Sequence, residues 1–340
     1  MKQLTDEMIL RGPLSDILKS KIPAVSKVFV VCSKHFREKV AGILEGREVM
    51  IFSDYTPNPD IKETLEATEL CRKGGYDIIV GIGGGSALDT AKCVKENLGA
   101  KLFILVPTTA GTGSEATRTA IVYKDGEKLS LGSDDMLPDL VILDGSLISS
   151  LPDYHKKAAL ADSLCQAIES FWSQSVCDES RQFSVKCVDL ILDNYKDFID
   201  KGEKNDEMIL AADYSGRAIN LTKTTAAHAM CYKLTTMYGA AHGHAVASCM
   251  LPLWRFHAEL AKEDESLRCL LMHVASLVHA DSIEESIKVF EDFLGALDLP
   301  RIDVKKEDLI YLASSVNTER LRNNPVPMTT QQIEYVYGQI

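Results

Sequence analysis

No apolar run in this chain of 340 residues reaches the ~18–20 residues that a membrane-spanning helix needs, so no membrane role is expected. Met1 to Leu10 is polar and holds no apolar stretch of the secretion-signal kind. The nine cysteines include no Cys-x-x-Cys pair. An odd, scattered set suits reduced core thiols and a cytoplasmic home. No compact basic stripe offsets the net charge of −12, so no nucleic-acid partner is expected. Internal repeats and low-complexity segments are absent too. What remains is ordinary for a globular protein, 46% hydrophobic and 25% charged, and long enough for two domains.

The first half alternates short apolar runs with amphipathic stretches. Lys27–Cys32, Glu48–Phe52, Asp77–Val80 and Leu102–Val106 read as buried strands. Ile61–Lys73 and Ala87–Glu96 carry helical periodicity. This alternation predicts a parallel, doubly wound sheet. Strand-like pieces follow at Thr119–Tyr123, Glu127–Leu131 and Leu140–Leu143, with a hairpin at Asp125-Gly126. After Leu151-Pro152 only helical patterns persist, among them Tyr154–Ser173, Glu179–Phe198, Asp206–Arg217 and Leu267–Val278. The expected organisation is an α/β nucleotide-binding domain over 1–152 and an all-α domain over 153–340.

Tyr76 to Lys92 reads as strand, glycine turn and helix, with Gly83-Gly84-Gly85-Ser86 at the turn. Glycine lets the backbone approach a pyrophosphate, and the following helix offers free N–H groups. The usual Gly-x-Gly-x-x-Gly fingerprint at the first strand is missing. A merely tight turn would read the same way. A second loop, Pro107 to Glu115, is rich in glycine and hydroxyls and follows the next strand. Both would lie at the carboxyl ends of parallel strands, where such folds bind ligands.

Asp162 and Gln166 share one helix face at i and i+4. His228 and His242 each sit among small residues, and Gly239 is expected to end a helix between them. A lone histidine is more often packed or solvated than a ligand. Four such groups brought together would suit Zn²⁺ or Fe²⁺, and a cation there would polarise a carbonyl.

These segments, in this order, resemble the iron-containing (group III) alcohol dehydrogenases of the dehydroquinate synthase-like superfamily. The likeness runs from about Lys27 to about Pro252 through Pro57-Asn58-Pro59, Gly83–Lys92, Pro107–Glu115, Asp162–Glu169 and the two histidines. It implies a Rossmann-like domain followed by a helical one, a nicotinamide cofactor (NADP or NAD), a small aldehyde or alcohol substrate and a homodimer. It implies metal ligands Asp162, Gln166, His228 and His242, with Fe²⁺, Zn²⁺ or Mn²⁺ as the ion. Cofactor contacts are implied at Ser33, Asn58, Gly83, Gly84, Gly85, Ser86, Asp89, Thr108, Thr109, Thr112, Ser114 and Lys128.

Three departures matter. Gln166 stands where the family usually has histidine, which raises a metal-free, non-catalytic member as one alternative. A synthase or lyase of the wider superfamily is another, though its cleft pattern of lysines, arginines and asparagines is not seen. Tyr232 replaces a second histidine four residues after His228. Its phenol can donate a hydrogen bond or relay a proton with His242 as the catalytic pair, or simply pack; His244 is a further relay candidate. Ser33 stands near where many relatives carry aspartate, and Lys34 follows, so NADPH is expected to be accepted.

Asn220 to Thr225 precedes His228. If a helix begins there, its N–H groups with Lys223, Thr224 and Arg217 would form an anion site. Arg217 joins it only if the helix is continuous, and a capped helix with solvated charges would read alike. This stretch resembles the phosphonoacetaldehyde reductase branch, implying an aldehyde that carries phosphonate.

Overall fold

The computed structural model describes residues 3–340, which form two compact units, the first running to Ser150 and the second over Leu151–Ile340. The first holds strands β1 (Ile9–Arg11), β2 (Lys27–Cys32), β3 (Glu48–Phe52), β4 (Ile78–Gly83), β5 (Leu102–Pro107), β6 (Thr119–Lys124), β7 (Glu127–Gly132) and β8 (Leu140–Leu143). Its helices are α1 (Leu14–Lys21), α2 (Arg37–Ile43), α3 (Ile61–Gly74) and α4 (Gly85–Leu98). Six strands make one parallel sheet in the order β1-β8-β5-β4-β2-β3. The hairpin β6-β7 stands apart, its turn at Asp125 and Gly126 both at positive φ.

Strand alternation gives the sheet two apolar faces. Val28, Val30, Val80 and Ile104 pack with Leu14, Leu18 and Val40 of α1 and α2. Phe29, Val31, Ile79 and Phe103 pack with Ala67, Leu88 and Val94 of α3 and α4. The short β1 escapes a reading by period, since three residues carry no alternation. Asp60 and Glu63 close a capping box at the start of α3.

The second unit is helical: α5 (Asp153–Trp172), α6 (Asp178–Lys201), α7 (Asn205–Thr222), α8 (Ala226–Tyr238), α9 (His242–Leu260), α10 (Glu265–Leu277), α11 (Ile283–Leu297), α12 (Leu309–Ser314), α13 (Thr318–Leu321) and α14 (Thr330–Tyr337). Helix α5 is central, with every residue from Leu160 to Trp172 buried. A helix enclosed on all sides has no solvent face for its polar groups. Those of α5 must therefore find partners on its neighbours. Among the described residues no helix is long and apolar enough to cross a membrane.

Candidate functional site

In the first unit the carboxyl ends of the neighbouring strands β5, β4 and β2 gather three expected cofactor segments. Helix α4 starts from Gly84, whose lack of a side chain leaves the helix N-terminus without a side-chain cap. A Cβ on Gly84 would lie 3.2 Å from Thr109 Cγ2, and one on Gly85 would lie 3.3 Å from Thr112 Cγ2. The two threonines thus press the second loop onto the glycine turn, and Thr108 N–H donates to the Gly83 carbonyl at 2.9 Å. The Ser86 hydroxyl donates to the Pro57 carbonyl, which docks the exposed Asn58 loop beside them. An open helix N-terminus lined with small and hydroxyl side chains suits a pyrophosphate.

Asp89 and Ser114 are placed otherwise than expected. Both are buried, and Ser114 donates to Asp89 at 2.6 Å. Asp89 also accepts from Ile121 N–H at 2.9 Å, and the enclosed Lys92 ammonium donates to Ser114, Thr117 and the Thr119 carbonyl. A buried carboxylate and ammonium need such partners, so these side chains lock the loop from beneath. Lys128 lies on β7, where its charge acts on Asp89. At the other strand ends Ser33 follows β2 as Asp54 follows β3, the strands pairing Val31 with Phe52. The neighbouring Lys34 meets Asp54 at 3.5 Å.

The second unit brings Asp162, His228 and His242 together, with donor atoms all within 4.8 Å of one another. Asp162 Oδ1 is 3.2 Å from His228 Nε2 and 3.8 Å from His242 Nε2. Bonds of ~2.0–2.2 Å to one tetrahedral cation would hold donors roughly 3.3–3.6 Å apart. The residues present therefore fit a divalent ion. Gly243 makes the approach feasible. A Cβ there would fall 2.0 Å from the Ala158 carbonyl oxygen and 2.7 Å from Asp162 Cβ. Helix α9 can begin against α5 only because that atom is missing.

Asp162, Gln166 and Glu169 lie along one side of α5, at i, i+4 and i+7. Glu169 is fully enclosed and accepts from Thr225 N–H and hydroxyl, Ala227 N–H and His228 N–H. Its second oxygen meets His228 Nδ1. With Nδ1 keeping its proton for Glu169, loss of the Nε2 proton would leave a lone pair facing Asp162, the orientation a cation requires. Burial pulls the His228 pKa down, but the Glu169 charge and the bonds to both carboxylates lift it to about 9. Burial raises the Asp162 carboxyl, while His242, His228 and Gln166 outweigh it and hold that group below its ordinary value.

Gln166 Oε1 lies 2.9 Å from Ser215 Oγ, which also lies 2.9 Å from the Ala212 carbonyl. One hydroxyl proton cannot serve both acceptors. In this orientation Asp162 takes a hydrogen bond from Gln166; turning the amide over would let Nε2 donate to Ser215 and would send Oε1 toward Asp162 instead. Two facing oxygens would need a cation or a proton between them, so a bound cation would favour the turned amide.

The expected anion site is not formed as the sequence suggests. Helix α7 stops at Thr222, and Lys223 takes φ +63° before α8 begins. Arg217 is therefore not on the helix of His228. It is buried, pairs with Asp213 at 2.8 Å and lies over the Phe183 and Tyr214 rings. At the start of α8 the N–H groups of Thr225, Ala227 and His228 are given to Glu169 rather than to an external anion. Lys223 is exposed at the break, and the half-buried Thr224 lends its carbonyl to Asn323. His244 Nδ1 meets the Tyr154 hydroxyl at 3.0 Å. Tyr232 does reach the site, its ring parallel to His242 at 6.3 Å and 12°.

Family models match most of the chain: iron-containing alcohol dehydrogenase over residues 11–145, and the C-terminal domain of the same family over 158–340. The chain belongs to the iron-containing alcohol dehydrogenase family. It is thus an oxidoreductase of that family. Alcohol dehydrogenase 4 of Saccharomyces cerevisiae is 26% identical over 325 residues, covering 87% of this chain and 84% of that one. Phosphonoacetaldehyde reductase of Streptomyces viridochromogenes is 28% identical over 300 residues, covering 77% and 76%. Sulfoacetaldehyde reductase of Bifidobacterium kashiwanohense, solved with NAD+, superposes with a TM-score of 0.85 at 25% identity, covering 98% and 96%.

Sequence reasoning gave no role to Glu169, Cys231, Gly243 or Arg320. Glu169 had a signal, since it follows Asp162 by two helical turns on the same face. Cys231 Sγ lies 3.5 Å from His242 Nδ1 and steadies that ring. Arg320 donates to the Tyr232 hydroxyl oxygen, a contact no local pattern announces.

Proposed function

We propose that this family member is a metal-dependent, NAD(P)H-linked reductase of small aldehydes, and that its aldehyde carries an anionic group such as phosphonate. The observation that carries the reading is the Asp162, His228 and His242 donor set, with Glu169 fixing His228 from behind. Asp162, His228, His242 and the turned amide of Gln166 would hold Fe²⁺, Zn²⁺ or Mn²⁺. When bound, such an ion supplies Lewis-acid polarisation of a carbonyl and the nicotinamide supplies hydride.

The chain's own residues do the remaining work. Glu169 keeps the His228 tautomer, and Cys231 keeps the His242 ring in place. Arg320 donates to Tyr232, so the tyrosine's own hydroxyl proton points to another acceptor. Tyr232, against His242, would hand that proton to the substrate oxygen as it gains charge. In the first unit, the glycine turn and the α4 N-terminus would hold the pyrophosphate, with Thr109 and Thr112 closing over it. Lys34 favours a 2′-phosphate and Asp54 opposes it, which supports use of both NADPH and NADH. Nine free thiols suit a reducing cytoplasm, and a homodimer follows from the family likeness.

The test is oxidation of NADPH and of NADH by protein of assayed metal content, with phosphonoacetaldehyde and with propionaldehyde. Preference for the phosphonate supports the full reading. Turnover of propionaldehyde alone keeps the reductase and discards the anionic substrate. With metal-loaded protein, no turnover of either rejects both.

A further inference from the structure

With the α8 N-terminus closed by Glu169 and Arg217 buried against Asp213, an anionic substrate needs another partner. Arg320 lies half-buried on α13. Its guanidinium sits 5.1 Å from the Tyr232 ring centre and donates to that hydroxyl oxygen. Tyr232 in turn lies flat against His242. One aromatic ring thus separates the guanidinium from a metal donor.

Arg320 is held there by design of the segment around it. Asn317 caps α13 through Glu319 N–H. Asn323 donates to the carbonyls of Thr222 and Thr224, at 2.7 and 3.1 Å, and accepts from Ser175 N–H. This clamp straddles Lys223, so the arginine segment is pinned to the break between α7 and α8. Lys223 itself is exposed at positive φ. A guanidinium held one ring away from a bound dication would be electrostatically unfavourable unless an anion lay between or across them. A guanidinium also presents its N–H groups as a planar fork that matches two oxygens of a phosphonate, sulfonate or carboxylate.

We infer that Arg320 is the residue that recognises the anionic head group of the substrate, with Tyr232 and the Asn323 clamp setting its position. This rests on the reading that small aldehydes react at the Asp162–His228–His242 centre. The substrate class is then a short aldehyde, or the matching alcohol, with an oxyanion one or two carbons from the reacting carbon. Lys223 at the rim would add attraction without geometry.

The experiment compares metal-loaded wild type, Arg320→Gln, Arg320→Lys and Lys223→Ala with phosphonoacetaldehyde, sulfoacetaldehyde and propionaldehyde. Arg320→Gln is expected to raise KM for the preferred anion by about tenfold or more, the scale of a lost charge-assisted hydrogen bond. The anionic-to-neutral ratio of kcat/KM falls with it. Arg320→Lys restores part of the ratio, and Lys223→Ala changes it less than Arg320→Gln does. Which anion shows the larger loss separates phosphonate from sulfonate. An equal kcat loss with all three aldehydes would overturn the inference and leave Arg320 only a support for Tyr232. Wild type that reduces only propionaldehyde would overturn it too, while the reductase reading survives. If no aldehyde is reduced, calorimetry with 2-hydroxyethylphosphonate decides. Binding lost in Arg320→Gln supports the inference, and binding unchanged or undetected in wild type overturns it.

Discussion

Gly243 and Asp162 meet so closely that a Cβ on the glycine would stand 2.7 Å from the aspartate Cβ, and 2.0 Å from the Ala158 carbonyl oxygen. In an exposed helix interior, glycine to alanine usually gains about 1 kcal/mol. Here the sign reverses, because the clash is with backbone that cannot step aside. Gly243→Ala is expected to cost about 1–3 kcal/mol in urea unfolding and to push His242 away from Asp162. Its metal content after dialysis should fall well below that of wild type. A stable variant with full metal would refute the steric account.

Glu169 serves five donors at once, so its replacement is felt in two ways. Glu169→Gln keeps the shape but loses the charge and sets an N–H against donors. Metal affinity, read by chelator competition, is expected to drop about 10- to 100-fold. Stability should fall by about 3–5 kcal/mol as the buried cluster loses its acceptor. Unaltered affinity would mean that His228 is oriented by something other than this carboxylate.

Gln166→Ala removes the amide oxygen and should lower metal stoichiometry. Gln166→His restores a stronger donor at the same position and is expected to raise affinity above wild type. If both variants bind metal as wild type does, Gln166 is not in the donor set.

Asp54 bears on cofactor choice. Asp54→Asn frees Lys34 and removes a charge that opposes a 2′-phosphate. The NADPH-to-NADH ratio of kcat/KM is expected to rise by about two- to fivefold, the scale of an exposed pair. The rise should shrink at high salt. No change would place the 2′-phosphate elsewhere.

His257 is fully enclosed between Trp172 and Asn324, and burial depresses its pKa to about 3. In the unfolded chain its pKa is ordinary, about 6.5. Protons therefore favour the unfolded chain between those values. Stability is full above pH ~6.5 and falls by about 1.4 kcal/mol per unit below it. Between pH 7 and pH 5 this group should remove about 2 kcal/mol. His257→Gln, unfolded by urea at both values, should lose correspondingly less stability across the interval than wild type.

Much of this was readable in the chain, and the reason differs by residue. The strands Lys27–Cys32 and Glu48–Phe52 appear with the bounds their apolar runs suggest. Asp125-Gly126 and Gly239 mark a turn and a helix end because few other residues take those dihedrals comfortably. Asp162 and Gln166 fall on one face because helix geometry is local. The break at Lys223 stayed an open alternative to a continuous helix, since no glycine or proline announces it and the positive φ is imposed by the surrounding fold. The fate of Arg217 followed from that same break. Glu169 and Arg320 act across long stretches of chain, where no period or spacing reports a contact.

Helix α8 has no cap of its own. The carboxylate that accepts its first N–H groups comes from Glu169, 56 residues earlier than Thr225. A helix of thirteen residues without a local cap is marginal in isolation. Its first turn is therefore completed only once α5 has docked, and that same docking brings Asp162 up to His228. A nascent or half-unfolded chain holds no assembled chelate with which to seize a passing ion. Loading with a metal would then come at the end of folding, and the tightness of its binding would report whether the helical unit had closed correctly.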